Sequence, residues 1–450
     1  MPFSHLRATL FFLLIIGVLC DFLPYERMND VSYIVIVISV LLISLGYFLT
    51  RDFASPQVIL CATWSISLFL TSLDVKFSGH ISHFNEMLNF QTWLVILFSI
   101  LSFFIGSTLA MYPIKTRYRE QIGTLQLNWD HIKLNQIITI SFLIAMSVYV
   151  FAIVKNGGLP AFSENVNDDR STFIPGTLGV FLALFQLVIL LTTMNAILYG
   201  IKKTYFQILL ALVSIICTLL TTQRVGAIES ILMSVIIFVT LWPYTSKSLR
   251  QQRKKTLIIF GSIFISAFLW GFVLIGETRG LDLLQLTDLD NLLLEQLYIY
   301  FGGPAPRNLQ MVMEGGIYYG INESTNGALF FRPFLWFMGF RNEVSLNDTF
   351  RGPNNATALF QYYIDLGMTG IIIFPLFWGA ICGFFYGRFR RAPTIRTGVI
   401  YAILASAIYF FPLSERFSEP STFIKVVLFS IVISIVFKMN TKVKKGVVVK

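Results

Sequence analysis

Charge is what this sequence has least of: Asp, Glu, Lys and Arg together make up 13% of its 450 residues, where a soluble domain carries about 25%. Apolar residues make up 55%, more than a soluble chain of this length could hide in ordinary cores. Cysteine is almost absent. The four present (Cys20, Cys61, Cys217, Cys382) each lie inside an apolar run, which excludes a disulfide framework or a CxxC metal site. There is no P-loop, no GxGxxG after a strand, no GxSxG, no HExxH and no heptad zipper, so the chain does not read as an ATP-driven pump. Ionisable groups within the apolar runs are also scarce. Glu229, one turn into its helix and beside Arg224, is the one plausible case, which argues against a proton- or ion-coupled transporter.

What is present is a succession of apolar runs at about 8–24, 32–49, 56–73, 91–112, 136–154, 175–199, 205–221, 225–242, 256–275, 366–385, 397–411 and 422–437. A span needs about 20 such residues, with a range of about 17–25. The expectation is an all-α polytopic membrane protein with about twelve transmembrane helices, forming one transmembrane domain over 1–450. Arg7 and the apolar stretch to Cys20 lack a small-x-small cleavage site, so this first run is expected to stay attached. Val18 and Leu19 are too bulky for a lipoprotein reading of Cys20.

The formal charge of +10 is not gathered into a patch that would suit nucleic acid. With twelve spans, 22 of the 34 basic residues fall on one side, together with only Asp52, Glu120 and Asp130 of the 24 acids. By the positive-inside rule that side, with both termini, is cytoplasmic. Of the 12 basic residues left outside or at the outer boundary, nine are Arg. Arg offers a planar fork of donors matched to phosphate and carboxylate, whereas Lys is a hydrated point charge.

The largest outer loop, 276–365, joins the ninth and tenth spans and is far longer than an ordinary connection. Residues 281–300 repeat Leu at helical spacing and predict an amphipathic interfacial helix. Gly302-Gly303-Pro304 ends it, and Pro306 opens a short second helix that stops at Gly315-Gly316. Residues 328–340, with Arg332 embedded among aromatics, read as a re-entrant or interfacial segment. Three tempting signals in the outer regions are weak. Asp288-Leu-Asp290 spells the DxD of enzymes that use sugar nucleotides, but it sits on the wrong side for them. His80 and His83, near Asp74 and Glu86, are more simply solvated than metal-binding, so no metal site is assigned. The three Asn-x-Ser/Thr sequons, at Asn322, Asn347 and Asn355, matter only in a secretory pathway that glycosylates.

The remaining constellation is arginine beside Gly, Asn and aromatics. Thr222-Gln-Arg224-Val-Gly226 joins two short spans at the outer boundary, and Glu277-Thr-Arg279-Gly280 ends the ninth span. Arg307 stands near a helix start, where free amides also favour an anion. Asn156-Gly-Gly-Leu-Pro-Ala-Phe and then Asn167-Asp-Asp169-Arg170 occupy the third outer loop. Such arginines suit a lipid-linked diphosphate, held and stabilised as it departs without any metal or other cofactor. Asn354-Asn355-Ala-Thr-Ala-Leu-Phe-Gln-Tyr362-Tyr-Ile-Asp365-Leu-Gly367-Met-Thr-Gly370 leads into the tenth span. Asn354 or Asn355 would cap that helix, and Tyr362 and Asp365 would share a face, as sugar-binding groups or as interfacial anchors.

The order of these features resembles the Wzy-type O-antigen or capsule repeat-unit polymerases, over roughly residues 130 to 385. It comprises near twelve spans, an outer loop with NGG-L-P-x-F and a following Arg, a turn with Arg-x-Gly, a long Arg-bearing loop and N-N-x-T-x-L-F-x-x-Y-x-D-x-G-x-x-G. The resemblance implies a GT-C-like, all-helical glycosyltransferase at the outer face of the bacterial cytoplasmic (inner) membrane. It would transfer a growing O-antigen, capsular or exopolysaccharide glycan from undecaprenyl diphosphate onto a new lipid-linked repeat. A chain-length regulator protein is an implied partner, alongside membrane lipid and the lipid-linked oligosaccharide substrate. By position, Arg170, Arg279, Arg307 and Arg332 correspond to the family's loop arginines, and Arg224 to the Arg-x-Gly turn. Asp365, Asp169 and Glu277 remain alternatives for the base that activates the acceptor hydroxyl. Arg279, Arg224 and Asp365 are the expected catalytic residues, with Arg170, Arg307, Arg332, Asn355 and Tyr362 binding substrate and diphosphate. An O-antigen ligase or a flippase of the same lipid-linked sugars are the other readings.

Overall fold

The computed structural model of the chain describes residues 30–77, 85–115, 130–162, 173, 176–221, 224–242, 287–289, 294–295, 298–299, 303–315, 357–391, 393–417 and 419–444. Among these the chain is helical, apart from connecting turns and an antiparallel bridge between Phe77 and Thr287. The helices are α1 (Asp30–Thr50), α2 (Pro56–Ser72), α3 (Phe90–Lys115), α4 (His131–Asn156), α5 (Leu184–Tyr199), α6 (Tyr205–Leu220) and α7 (Arg224–Leu241). They continue as α8 (Ala305–Glu314), α9 (Ala358–Arg391), α10 (Ile395–Phe410) and α11 (Pro420–Lys444). A 3-10 stretch, Gly176–Ala183, leads into α5. Gly176 and Gly179 weaken α-helix there. Ten of the twelve predicted runs coincide with helices, and the runs at 8–24 and 256–275 lie outside the described residues.

Five stretches are long and apolar enough to cross a membrane: Val31–Thr50, Phe90–Met111, His131–Asn156, Leu178–Tyr199 and Ala358–Arg391. Their outer faces are what lipid requires. Val37, Leu41, Leu45 and Phe48 on α1, and Phe98, Leu101, Ile105 and Leu109 on α3, form exposed apolar stripes at helical spacing. In water such stripes would be an aggregation hazard, whereas in a bilayer they face acyl chains at no cost. The chain is a polytopic, all-helical membrane protein.

Sequence chemistry sets the helix ends. Ser55 caps α2 by accepting from the Val58 amide at 3.4 Å, with Pro56 in the first turn, where its missing N–H costs nothing. Asp130 caps α4 through the amides of Ile132 and Lys133. At the far end of α4, Gly157 adopts φ 73° and its amide bonds back to the Ile153 carbonyl. The Asn156-Gly-Gly sequence is therefore a helix stop of the left-handed kind. Asn156 Nδ2 then donates to the Phe173 carbonyl at 3.2 Å.

The chain forms two compact units, each discontinuous in sequence. In the first (1–113, 284–386, 407–420), α3 and α9 cross at small residues. A Cβ on Gly379 or Gly383 of α9 would overlap the carbonyl oxygens of Phe103 or Ser107, and one on Gly106 the Leu376 carbonyl. Such close backbone approach supplies the van der Waals contact that holds membrane helices together where no hydrophobic effect can. In the second (114–283, 387–406, 421–450), α5 is buried nearly all round among Ile137, Tyr149, Met233, Ile237, Val399 and Phe429.

Candidate functional site

The predicted tenth span is not one straight helix. Thr357, rather than either Asn, caps α9: its hydroxyl accepts from the Phe360 amide at 3.3 Å, and the Ala358 amide bonds to the Phe411 carbonyl. After one short arm, 358–366, Gly367 takes φ 58° and ψ −142°, a backbone conformation that is essentially glycine's alone. The second arm, 368–391, folds back along the first. The rings of Tyr362 and Phe374 lie 4.9 Å apart, whereas twelve residues of straight helix would separate them by about 18 Å. Gly370 is required at the fold, because a Cβ there would overlap the Tyr362 carbonyl oxygen.

This break places polar groups inside the first unit. Tyr362 and Asp365, on the short arm, are each only 1% exposed. The Tyr362 hydroxyl donates to Glu415 Oε1 at 3.0 Å, and the same oxygen accepts from the Phe417 amide at 2.9 Å. Aromatic rings surround the group: Phe411 packs on Tyr362 and Trp64, and Trp378 stacks on Phe417 at 4.7 Å. Two carboxylates and a phenol in an apolar enclosure are costly to bury, and in a membrane protein such groups mark function. Carboxylates of this kind are chemically able to accept a hydrogen bond or a proton from a hydroxyl group. Glu415 was missed at the sequence level. Its signal was a glutamate in the short Pro412-Leu-Ser-Glu-Arg-Phe turn between two apolar runs.

Arg307 lies in the first turn of α8, as expected, and Gly315 closes that helix. Its guanidinium is not presented outward. It is 4% exposed, donating to the Tyr298 hydroxyl at 3.0 Å and to the Thr71 carbonyl at 2.9 Å, with Phe77 beside it. Its Nε has no hydrogen-bond partner among the described residues. Burial pushes the Tyr298 hydroxyl up in pKa, and the Arg307 charge opposes that shift. Asn89 reinforces the same seam, its amide bonding Gln310 and its side chain Glu314. In this arrangement Arg307 ties α8 to the end of α2, with two of its three nitrogens already engaged.

The long amphipathic helix expected over 281–300 does not run through its middle. Thr287 bridges Phe77, and Asp288 pairs with Lys76, donating its amide to the Lys76 carbonyl at 2.9 Å and accepting the Lys76 amide on Oδ1 at 2.9 Å. Thr287 in turn gives its amide and hydroxyl to Glu295. Short polar side chains here bond locally and compete with helix, which the Leu spacing alone does not reveal. Asp288 of the DxD is thus engaged with backbone, and Asp290 is outside the described residues.

In the second unit, Arg224 is the first residue of α7. Two residues on, the Gly226 carbonyl accepts from Gln186 Nε2 at 3.0 Å and from the Ser230 hydroxyl at 2.7 Å. Gln186 also donates to Glu229 Oε2 at 3.2 Å, and Lys425 of α11 forms an ion pair with that same oxygen. The charge count places Lys425 on the outer side or at its boundary, without a partner inside the helices. Its partner lies 196 positions away in sequence, beyond any local pattern.

Arg170, Arg279, Arg332 and Asn355 lie outside the described residues, as do Asp169, Glu277, His80 and His83. Among the described residues no three His, Cys, Asp or Glu side chains gather as metal ligands. No family model matches the chain, and neither a curated protein nor a solved structure does.

Proposed function

We propose that this chain polymerises oligosaccharide repeat units carried on undecaprenyl diphosphate, at the outer face of the bacterial cytoplasmic membrane. In this reading it is a metal-independent glycosyltransferase of GT-C-like plan, spanning the membrane twelve times with both termini cytoplasmic. The observation that supports it best is the break at Gly367. It lies in the segment whose residue pattern resembles the polymerases, where Tyr362 and Asp365 are buried, and Tyr362 bonds Glu415, which lies outside that segment.

The chemistry is a displacement at the anomeric carbon of the growing glycan. The acceptor hydroxyl of the new lipid-linked repeat gives its proton to a carboxylate, for which Asp365 is the first candidate. Its oxygen forms the new glycosidic bond as the bond to the diphosphate breaks, and undecaprenyl diphosphate leaves with the electron pair. Tyr362 and Glu415 orient the sugar. Arg224, Arg170, Arg279 and Arg332 take the developing negative charge, so that guanidinium replaces a metal cation. Arg307 is assigned a positioning role, since its fork is already engaged.

A second reading, a transporter of the same lipid-linked sugars, is favoured by one observation: the buried Glu229–Lys425 pair between helices. Vesicles holding the purified chain and fluorescent lipid-linked repeats distinguish the two. Polymerisation yields a ladder of longer glycans. Movement of label across the bilayer with no ladder contradicts the proposal.

A further inference from the structure

Charges buried between membrane helices are costly unless paired, and for stability alone apolar side chains of equal volume serve as well. The Glu229–Lys425 pair therefore calls for a reason other than stability. Its geometry supplies one. Lys425 Nζ and Gln186 Nε2 converge on the same oxygen of Glu229, and Gln186 continues to the Gly226 carbonyl. Helices α5 and α11 are thereby tied to the first two turns of α7, whose first residue is Arg224. The Gly of the Arg-x-Gly turn follows from the same packing. A Cβ on Gly226 would stand 3.3 Å from Gln186 Nε2 and 3.5 Å from Thr218 Cγ2, pressing on the amide that holds the turn.

Resting on the polymerase reading of Arg224, we propose that Gln186, Glu229 and Lys425 are positioning residues that lock the first two turns of α7, and so the backbone that carries Arg224, for its work on the diphosphate of the lipid-linked donor. Glu229 is the hub, Lys425 fixes its carboxylate, and Gln186 transmits that fixation to the backbone. None of the three is asked to touch substrate.

Two arms separate this proposal from the reading it rests on. The first needs no activity. Arg224→Cys is labelled in intact cells with a membrane-impermeant thiol reagent, with and without Gln186→Leu or the double change Glu229→Gln/Lys425→Met. Neither change leaves an unpaired buried charge, so both proteins are expected to fold. The labelling rate should shift by about threefold or more. Equal rates, or no labelling in any background, overturn the proposal whatever the chain catalyses. The second arm is a double-mutant cycle on polymerisation. Glu229→Gln/Lys425→Met should lower kcat/KM about tenfold when Arg224 is present and have little effect once Arg224 is Ala. A loss that simply adds to that of Arg224→Ala overturns the positioning role. A wild-type chain that makes no ladder defeats the polymerase reading instead, and the labelling arm still decides the geometry.

Discussion

Asp365 and Tyr362 sit one helical turn apart, yet the account asks different things of them. If Asp365 takes the acceptor proton, Asp365→Asn keeps the size and burial of the side chain and removes the base. The expected loss is about 10²–10⁴ in rate, with normal amounts of protein in the membrane, read as single repeat units where wild type gives a ladder. Wild-type ladders from Asp365→Asn would remove Asp365 as the base and leave Asp169 and Glu277 as the candidates. Tyr362→Phe is a different experiment. It leaves the buried Glu415 oxygen without its phenolic donor, a cost of about 1–3 kcal/mol, visible as a lowered Tm in detergent. The arginines divide in the same way. Arg224→Lys, Arg170→Lys and Arg279→Lys keep charge but lose the fork, and each should cost about 10²–10³ in polymerisation. Arg307→Lys should mainly lower Tm, because Lys cannot reach both the Tyr298 hydroxyl and the Thr71 carbonyl. Equal kinetic losses and unchanged Tm across all four variants would show that Arg307 also meets the ligand.

Among elements, the break in α9 carries the site. Gly367→Ala places a Cβ on a residue at φ 58°, ψ −142°, a strain of about 1–3 kcal/mol. The short arm would then straighten or shift, so activity should fall with only a modest loss of protein. Activity equal to wild type would mean that the fold-back at Gly367 is dispensable. Much at this scale was legible beforehand. Pro306 and Gly315 marked α8, the apolar runs marked ten helices, and Asp365 and Tyr362 were picked out by type and spacing. The break was not legible, because a glycine within an apolar run is compatible with continuous helix and periodicity carries no φ. Nor were the Tyr362–Glu415 and Glu229–Lys425 pairs, whose partners are 53 and 196 positions apart. At 287–288 Leu spacing misled, since Thr and Asp found bonding partners outside any helix.

For the whole molecule, the exposed apolar stripes suit a membrane, and the orientation proposed from the uneven distribution of Lys and Arg has its own test. Tags within 276–365 should be reachable from outside the cell, and tags at 243–255 and 442–450 only from inside. A reporter at residue 320 found in the cytoplasm would reverse the orientation and remove the lipid-linked donor from reach of the arginines. The central claim, however, is chemical. Its most direct test is the purified chain in proteoliposomes, given defined undecaprenyl-diphosphate-linked repeats in the presence of excess EDTA, with glycan length and free undecaprenyl diphosphate followed together. The account predicts a ladder, with one undecaprenyl diphosphate released for each bond formed. No product longer than one repeat, or a ladder that appears only when Mg²⁺ or Mn²⁺ is restored, would contradict it.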